Sequence, residues 1–151
     1  MVNIIRKISA EISYIERTIP DIQSAFDKNN LNSLELRGLA KCIHEIYNGI
    51  EKILKQILLS KYVNISDSKS WHKDILTLSV SNSVISENTA DLLYEYTTFR
   101  HYAAHAYGFR LDEERVFELA KNIIIVWNQY LSEIRKLYPL ESNSTITKEK
   151  Q

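Results

Sequence analysis

Three glycines and two prolines serve a chain of 151 residues, and that shortage constrains the fold more than any motif does. Sheets and sandwiches need frequent reversals, and reversals draw on glycine for positive φ and on proline for its fixed φ. With so few of either, the chain must travel in long elements. The apolar spacing says which kind. Ile4, Ile8, Ile12, Ile15, Ile19, Ile22 and Phe26 follow three- and four-residue steps, the period of a helix with one buried face. Pro20 falls inside that run. Its missing N–H predicts a kink there, or an end to the first part of the helix.

After the polar turn DKNN, Asn32 and Glu35 have the spacing of a capping box. Leu36, Leu39, Ile43, Ile46, Tyr47, Ile50, Ile53, Leu54, Ile57 and Leu58 then form a broad apolar stripe, predicting a helix to about Tyr62. Ser68 or Ser70 is placed to cap a short helix holding Trp71, Ile75 and Leu78. The polar joint SNSVISEN leads to a helix from Glu87 to Tyr107, with Gly108 suited to a left-handed cap. Asp112 caps a last helix, with Glu113 and Glu114 in its first turn and Val116, Leu119, Ile123, Val126, Tyr130 and Ile134 on its apolar face. Pro139 lies just past its end. The expectation is an all-α, antiparallel up-and-down bundle of four long helices and one short one. Residues 1–139 form a single domain and 140–151 a polar tail with the composition of a disordered segment.

Lys and Arg number 19, as do Asp and Glu, so the chain is neither a generally basic nucleic-acid coat nor an acidic tail protein, although a local patch stays open. One cysteine, Cys42, excludes a disulfide framework and a zinc finger and fits a reducing compartment. No apolar run approaches the roughly 18 residues of a membrane span, and MVNIIRKISAEIS interleaves charge too closely for a signal peptide. A cytoplasmic protein without membrane association is expected.

Metal chemistry finds little support. His101 and His105 share a helix face, but no Glu follows His101 as in HExxH and no acidic third ligand lies nearby. His44 and His72 stand isolated in the sequence, and Cys42 sits in an apolar stripe, where an inert thiol is expected. Scattered glycines cannot build a phosphate-cradling loop, so neither metal nor cofactor is expected.

The unusual segment is Phe99-Arg100-His101-Tyr102-Ala103-Ala104-His105-Ala106-Tyr107-Gly108. On a continuous helix Arg100 and Tyr107 lie about 20° apart and about 10 Å along the axis. His101 and His105 share a second face, with Tyr102 one turn before His105. Ala103, Ala104 and Ala106 allow another helix to approach closely. A two-fold partner would bring two copies of Arg and His together, so a dimer is expected. Arg and His suit metal-free RNA cleavage. A neutral imidazole can remove the ribose 2′-OH proton, and a guanidinium can hold the phosphate in bidentate fashion as the 2′ oxygen attacks. DNA, lacking that hydroxyl, would not be cut.

Arg100-x4-His105-x-Tyr107 resembles the RX4HXY motif of HEPN-domain proteins, specifically the HepT-like ribonuclease toxins. The resemblance extends to HEIYNGIEKILKQI (His44 to Ile57), SWHKDIL (Ser70 to Leu76) and FRHYAAHAYGFRLDEERV (Phe99 to Val116). It implies a HEPN-like dimeric helical bundle in which Arg100 and His105 are the catalytic ribonuclease pair of a composite site and Tyr107 completes the motif. It implies an RNA substrate and, as partner, a minimal nucleotidyltransferase (MNT-type) antitoxin that silences the toxin by transferring AMP to Tyr102 or Tyr107. Such a modification sets charge and bulk against the RNA phosphate. His101 departs from the polar residue, often Asn, that follows the motif Arg in this family; it offers a second proton-transfer group or a degenerate site. With Arg110 and Arg115 it would supply positive charge for RNA phosphates.

Two other readings use the same residues. In one, the chain is a non-catalytic nucleotide- or substrate-binding subunit of a two-component nucleotidyltransferase, with Arg100 on a phosphate and His105 structural. In the other, it is a dimerisation bundle whose Arg and His only bridge helices.

Overall fold

The structure, a computed structural model, describes residues 2–28, 30–66, 71–105 and 112–140, with backbone alone for residues 2 and 100–105. Among the described residues there are five α-helices and no strand: α1 (Val2–Phe26), α2 (Ser33–Ser60), α3 (Trp71–Ser81), α4 (Glu87–His105) and α5 (Glu113–Leu137). The expected caps at Ser68, Ser70 and Gly108, and the polar tail beyond Leu140, lie outside the described residues.

Side-chain caps start the helices where the sequence places them. Asn32 Oδ1 accepts the Glu35 N–H at 2.8 Å while Glu35 Oε1 accepts the Asn32 N–H at 3.0 Å, the reciprocal pair of a capping box. That backbone bond, with Lys28 second, holds the Glu35 carboxyl below the usual carboxylate range. Asp112 Oδ1 accepts the Glu114 and Arg115 N–H groups at 3.1 and 3.4 Å. Ser86 Oγ accepts the Thr89 N–H at 3.1 Å, and Glu133 of α5 accepts from the Ser86 N–H and from the Ser86 and Thr89 hydroxyls. The start of α4 is thereby tied to α5.

Helix ends depart from expectation in two places. α1 continues through Pro20 as one helix. The ring removes one backbone bond, but Ile15 and Ile22, both fully buried, hold the turns on either side in the core. α2 stops at Ser60, short of Tyr62. Tyr62 instead adopts φ 62°, its N–H donating to the Leu59 carbonyl and the Val63 N–H to that of Leu58. α3 ends the same way, with Ser83 at φ 58° and the Val84 N–H donating to the Ser79 carbonyl at 2.8 Å. Both are Schellman closures, which usually place glycine at the left-handed position.

α1 and α2 are antiparallel. Ile15 lies against Gly49, and Asp21 and Ala25 share a groove with Leu39 and Cys42. α4 and α5 are antiparallel too, since Thr89 meets Glu133 while Tyr96 Oη donates to the Leu119 carbonyl at 2.8 Å. The Phe26 and Phe117 rings stand 6.0 Å apart. One end of the bundle therefore gathers the close of α1, the start of α2, the close of α4 and the start of α5. At the other end Ile4, Leu59 and Tyr138 come together. α2 runs through the middle, burying Ile43, Ile46, Ile50, Ile53, Leu54 and Ile57 against Leu93, Ile123, Trp127 and Tyr130. At roughly 1.5–3 kcal/mol for each fully buried large apolar side chain, this core is the main driving force of the fold.

Candidate functional site

α4 is the element that carries the motif, and its position is fixed residue by residue. Thr89, Leu93, Tyr96 and Phe99 form its buried line. Tyr96 is bonded through its hydroxyl to the Leu119 carbonyl, and burial pushes its pKa well up. Tyr47 of α2 exchanges a 2.6 Å hydroxyl–hydroxyl bond with Thr97, and the Tyr47 and Tyr96 rings stack at 6.3 Å. Two helices, α2 and α5, thus clamp α4 one turn before Arg100.

The last six positions of α4 are Arg100, His101, Tyr102, Ala103, Ala104 and His105. At about 100° per residue, position 100 falls in line with Leu93 and Tyr96, on the register that faces the bundle. Position 105 falls with Tyr94 and Thr98, both exposed, about 140° around the helix from position 100. Tyr102 shares the sector of Glu95 and Thr98, and His101 lies between the two faces. One copy of α4 therefore does not set positions 100 and 105 on a common side. Tyr107 and Arg110 lie outside the described residues, as does the expected stretch of helix from Ala106 to Tyr107.

Beside this end of α4 lies a cleft of about 360 Å³, lined by Glu95, Thr98, Phe99, Asp112, Arg115 and Val116. Arg115 sits 3.7 Å from Glu95 and 3.6 Å from Glu118. Both pairs are half-exposed, so each is worth at most a fraction of a kcal/mol, and the guanidinium is easily recruited elsewhere. Among the described residues no group of three His, Cys, Asp or Glu side chains is arranged to hold a metal ion.

One pairing escaped the sequence reading. Expected to be isolated, His72 instead lies with Nδ1 2.9 Å from both carboxylate oxygens of Glu51, a side chain only 1% exposed. Trp71 packs beside it, its ring 3.6 Å from that of His72 and capped by Lys55 Nζ at 4.9 Å. The signal was present: Glu51 occupies a core position in the stripe that runs through Tyr47, Leu54 and Leu58. Cys42 is half-buried, facing α1, and burial first, then Asp21 and Glu45, raise its thiol pKa. It is a poor nucleophile. No helix among the described residues is long and apolar enough to cross a membrane.

The fold has counterparts among solved structures. A chain in a crystal structure of a toxin–antitoxin with AMP-PNP superposes with a TM-score of 0.75 at 19% identity, over 89% of this chain and 98% of that one. YutE from Bacillus subtilis, a cytosolic protein of unknown function, superposes with a TM-score of 0.68 at 16% identity, over 87% of this chain and 88% of its own. At such identities the likeness is one of fold. No curated protein is a significant match to the sequence. The HepT-like protein family matches residues 38–139, from the first turns of α2 through the motif to the close of α5, and this chain belongs to that family.

Proposed function

We propose that this protein is the toxin of a type VII-style toxin–antitoxin pair, a homodimeric, metal-independent endoribonuclease acting in the cytoplasm. The observation that carries the reading is the motif Arg100-x4-His105-x-Tyr107 in a HepT-like chain, with positions 100 and 105 in the last turns of α4. The fold shared with a solved toxin–antitoxin supports it.

In this reading His105, neutral, takes the proton of a ribose 2′-OH. The 2′ oxygen attacks the adjacent phosphorus, the bond to the 5′ oxygen breaks, and that oxygen leaves with a proton, giving a 2′,3′-cyclic phosphate and a 5′-hydroxyl. Arg100 holds the phosphoryl oxygens and stabilises the charge that builds on them. His101, Arg110 and Arg115 add positive charge for the flanking phosphates. The separation of positions 100 and 105 around α4 favours a site completed across a dimer axis, with Arg from one copy working beside His from the other. An MNT-type nucleotidyltransferase silences the site: the hydroxyl of Tyr102 or Tyr107 attacks the α-phosphorus of ATP, releasing pyrophosphate and leaving AMP where RNA must bind.

RNA cleavage by the purified chain tests the activity, with DNA and Arg100→Ala as controls. RNA cut at least 100-fold faster than by Arg100→Ala, falling off below about pH 6 as His105 takes up a proton, is the expected result. Equal rates for the two proteins would end the ribonuclease reading. ATP binding without cleavage would favour a nucleotide-binding subunit. Intact mass after incubation with the antitoxin and ATP reports the switch: a gain of AMP that is lost in Tyr102→Phe or Tyr107→Phe.

A further inference from the structure

The formal charge of zero hides a separation of charge between helices. α2 carries four cations, Arg37, Lys41, Lys52 and Lys55, and all four are exposed. Of its three carboxylates, Glu35 is held in the cap and Glu51 is buried, which leaves half-buried Glu45 alone to oppose them. α4 has the opposite character. Up to Phe99 its charged side chains are Glu87, Asp91 and Glu95, all exposed and all acidic. Among the described residues the ion pairs engage Lys28, His72 and Arg115 and none of the four α2 cations; Lys55 stands over the Trp71 ring instead.

At about 100° per residue, these four positions fall within a sector of about 60°. It lies opposite the buried line of Ile43, Ile50 and Leu54 and runs about 27 Å along the helix. Arg37 with Lys41, and Lys52 with Lys55, are like-charge neighbours one turn apart, an arrangement that weakens a helix. Nothing in the packing of the bundle requires it. The Tyr47–Thr97 bond sets the antiparallel register of α2 and α4, so Lys41 stands about level with position 103. The stripe therefore begins at the end of the bundle that carries the motif. Its other end is marked by Tyr62, whose side chain the left-handed turn leaves 96% exposed.

We propose that the outer stripe of α2 is a track for the backbone of single-stranded RNA, with Tyr62 stacking one base at its far end. The ribonuclease reading is needed only for what happens to that strand at the motif, not for its binding. Arg and Lys side chains are the usual partners of phosphate oxygens. Lysine, by contrast, is depleted in protein–protein interfaces, so a lysine-rich stripe with little apolar surface suits a polyanion better than a folded partner. An exposed aromatic ring accepts any base, because every base has a π-face. The acidic outer face of α4 repels phosphate and leaves the α2 side as the favourable approach. Periodicity alone marks these positions as solvent-facing; the fold shows that their charge goes unanswered.

Fluorescence anisotropy on the full chain tests this with a labelled 2′-O-methyl RNA of about 12 nucleotides, within the usual range of single-strand site sizes. Its blocked 2′ oxygen cannot act as a nucleophile, so binding is read without cleavage. Lys41→Glu combined with Lys52→Glu should weaken binding by about tenfold or more. The log–log salt dependence should become shallower by about 1.4, since each phosphate contact on a single strand contributes about 0.7. Lys121→Glu combined with Arg135→Glu makes the same charge change at exposed positions of α5 and should leave affinity within about twofold. Tyr62→Ala should weaken binding by about fivefold, the lower end for one base–aromatic stack. All five positions are exposed, and thermal unfolding of each variant should match the wild type. Wild-type affinity in the Lys41 and Lys52 variant, or an equal loss in the α5 control, would overturn the track; wild-type affinity in Tyr62→Ala would overturn the stacking. A Lys41 and Lys52 variant that keeps RNA but loses the antitoxin would make the stripe a protein interface and overturn the proposal as well. Binding as expected by a chain that cuts no unmodified RNA would uphold the track and end the ribonuclease reading.

Discussion

Glu51 shows what one charged residue can demand of a fold. A carboxylate removed from water must find partners, or it costs several kcal/mol. Here His72, brought over from α3, supplies one at 2.9 Å. His72→Ala should lower stability by about 2–3 kcal/mol, because it strips a partner from a carboxylate that stays buried. Adding Glu51→Leu should recover much of that loss. The urea midpoint of the two variants checks both, and a single variant as stable as the wild type would mean the pair contributes nothing. The pairing was illegible in the sequence because residues 51 and 72 sit on different helices, and side-chain spacing reports only neighbours on the same one. The same applies to Tyr47 and Thr97. The motif Arg100-x4-His105-x-Tyr107 was legible for the opposite reason, since all of its spacing lies within one short segment.

At the level of elements, starts were easier to read than stops. Asn32, Ser86 and Asp112 are polar residues placed before apolar periodic runs, and each caps its helix by accepting N–H groups. The closures of α2 and α3 carry no such signal. Tyr62 and Ser83 occupy a left-handed position that glycine normally fills. An L side chain there costs roughly 1 kcal/mol, offset by the backbone bonds to Leu58, Leu59, Ser79 and Val80. Ser83→Gly should therefore stabilise the protein by about 0.5–1 kcal/mol in thermal or urea unfolding, despite removing atoms from the native state. A loss of stability would show that the serine side chain has an unrecognised role. Pro20 allowed either a kink or an end; α1 does not end there, because fully buried isoleucines on both sides carry the helix past it. Element existence followed from periodicity; element ends answered to tertiary packing.

For the whole molecule, the register of α4 makes a prediction that composition could not. With positions 100 and 105 on different faces, Arg100→Ala and His105→Ala should each be inactive alone yet regain activity when the two are unfolded and refolded together, because a mixed dimer can assemble one site with both residues intact. Mixed subunits that stay inactive would place the pair within one copy. Size measurement by sedimentation should accompany the assay, with a dimer expected. α1 has a different standing in this assembly. It packs on α2 and on little else, and the family match begins only at residue 38. Its closest seat is Gly49, where a Cβ would stand 2.6 Å from Ile15 Cδ1, so Gly49→Ala should push the two helices apart. In hydrogen-exchange terms α1 would then be a separate unit: its amides should lose protection in Gly49→Ala while those of α4 and α5 keep theirs. A helix fastened along a single side is a clasp, one that can open and close without unmaking the bundle it is fastened to.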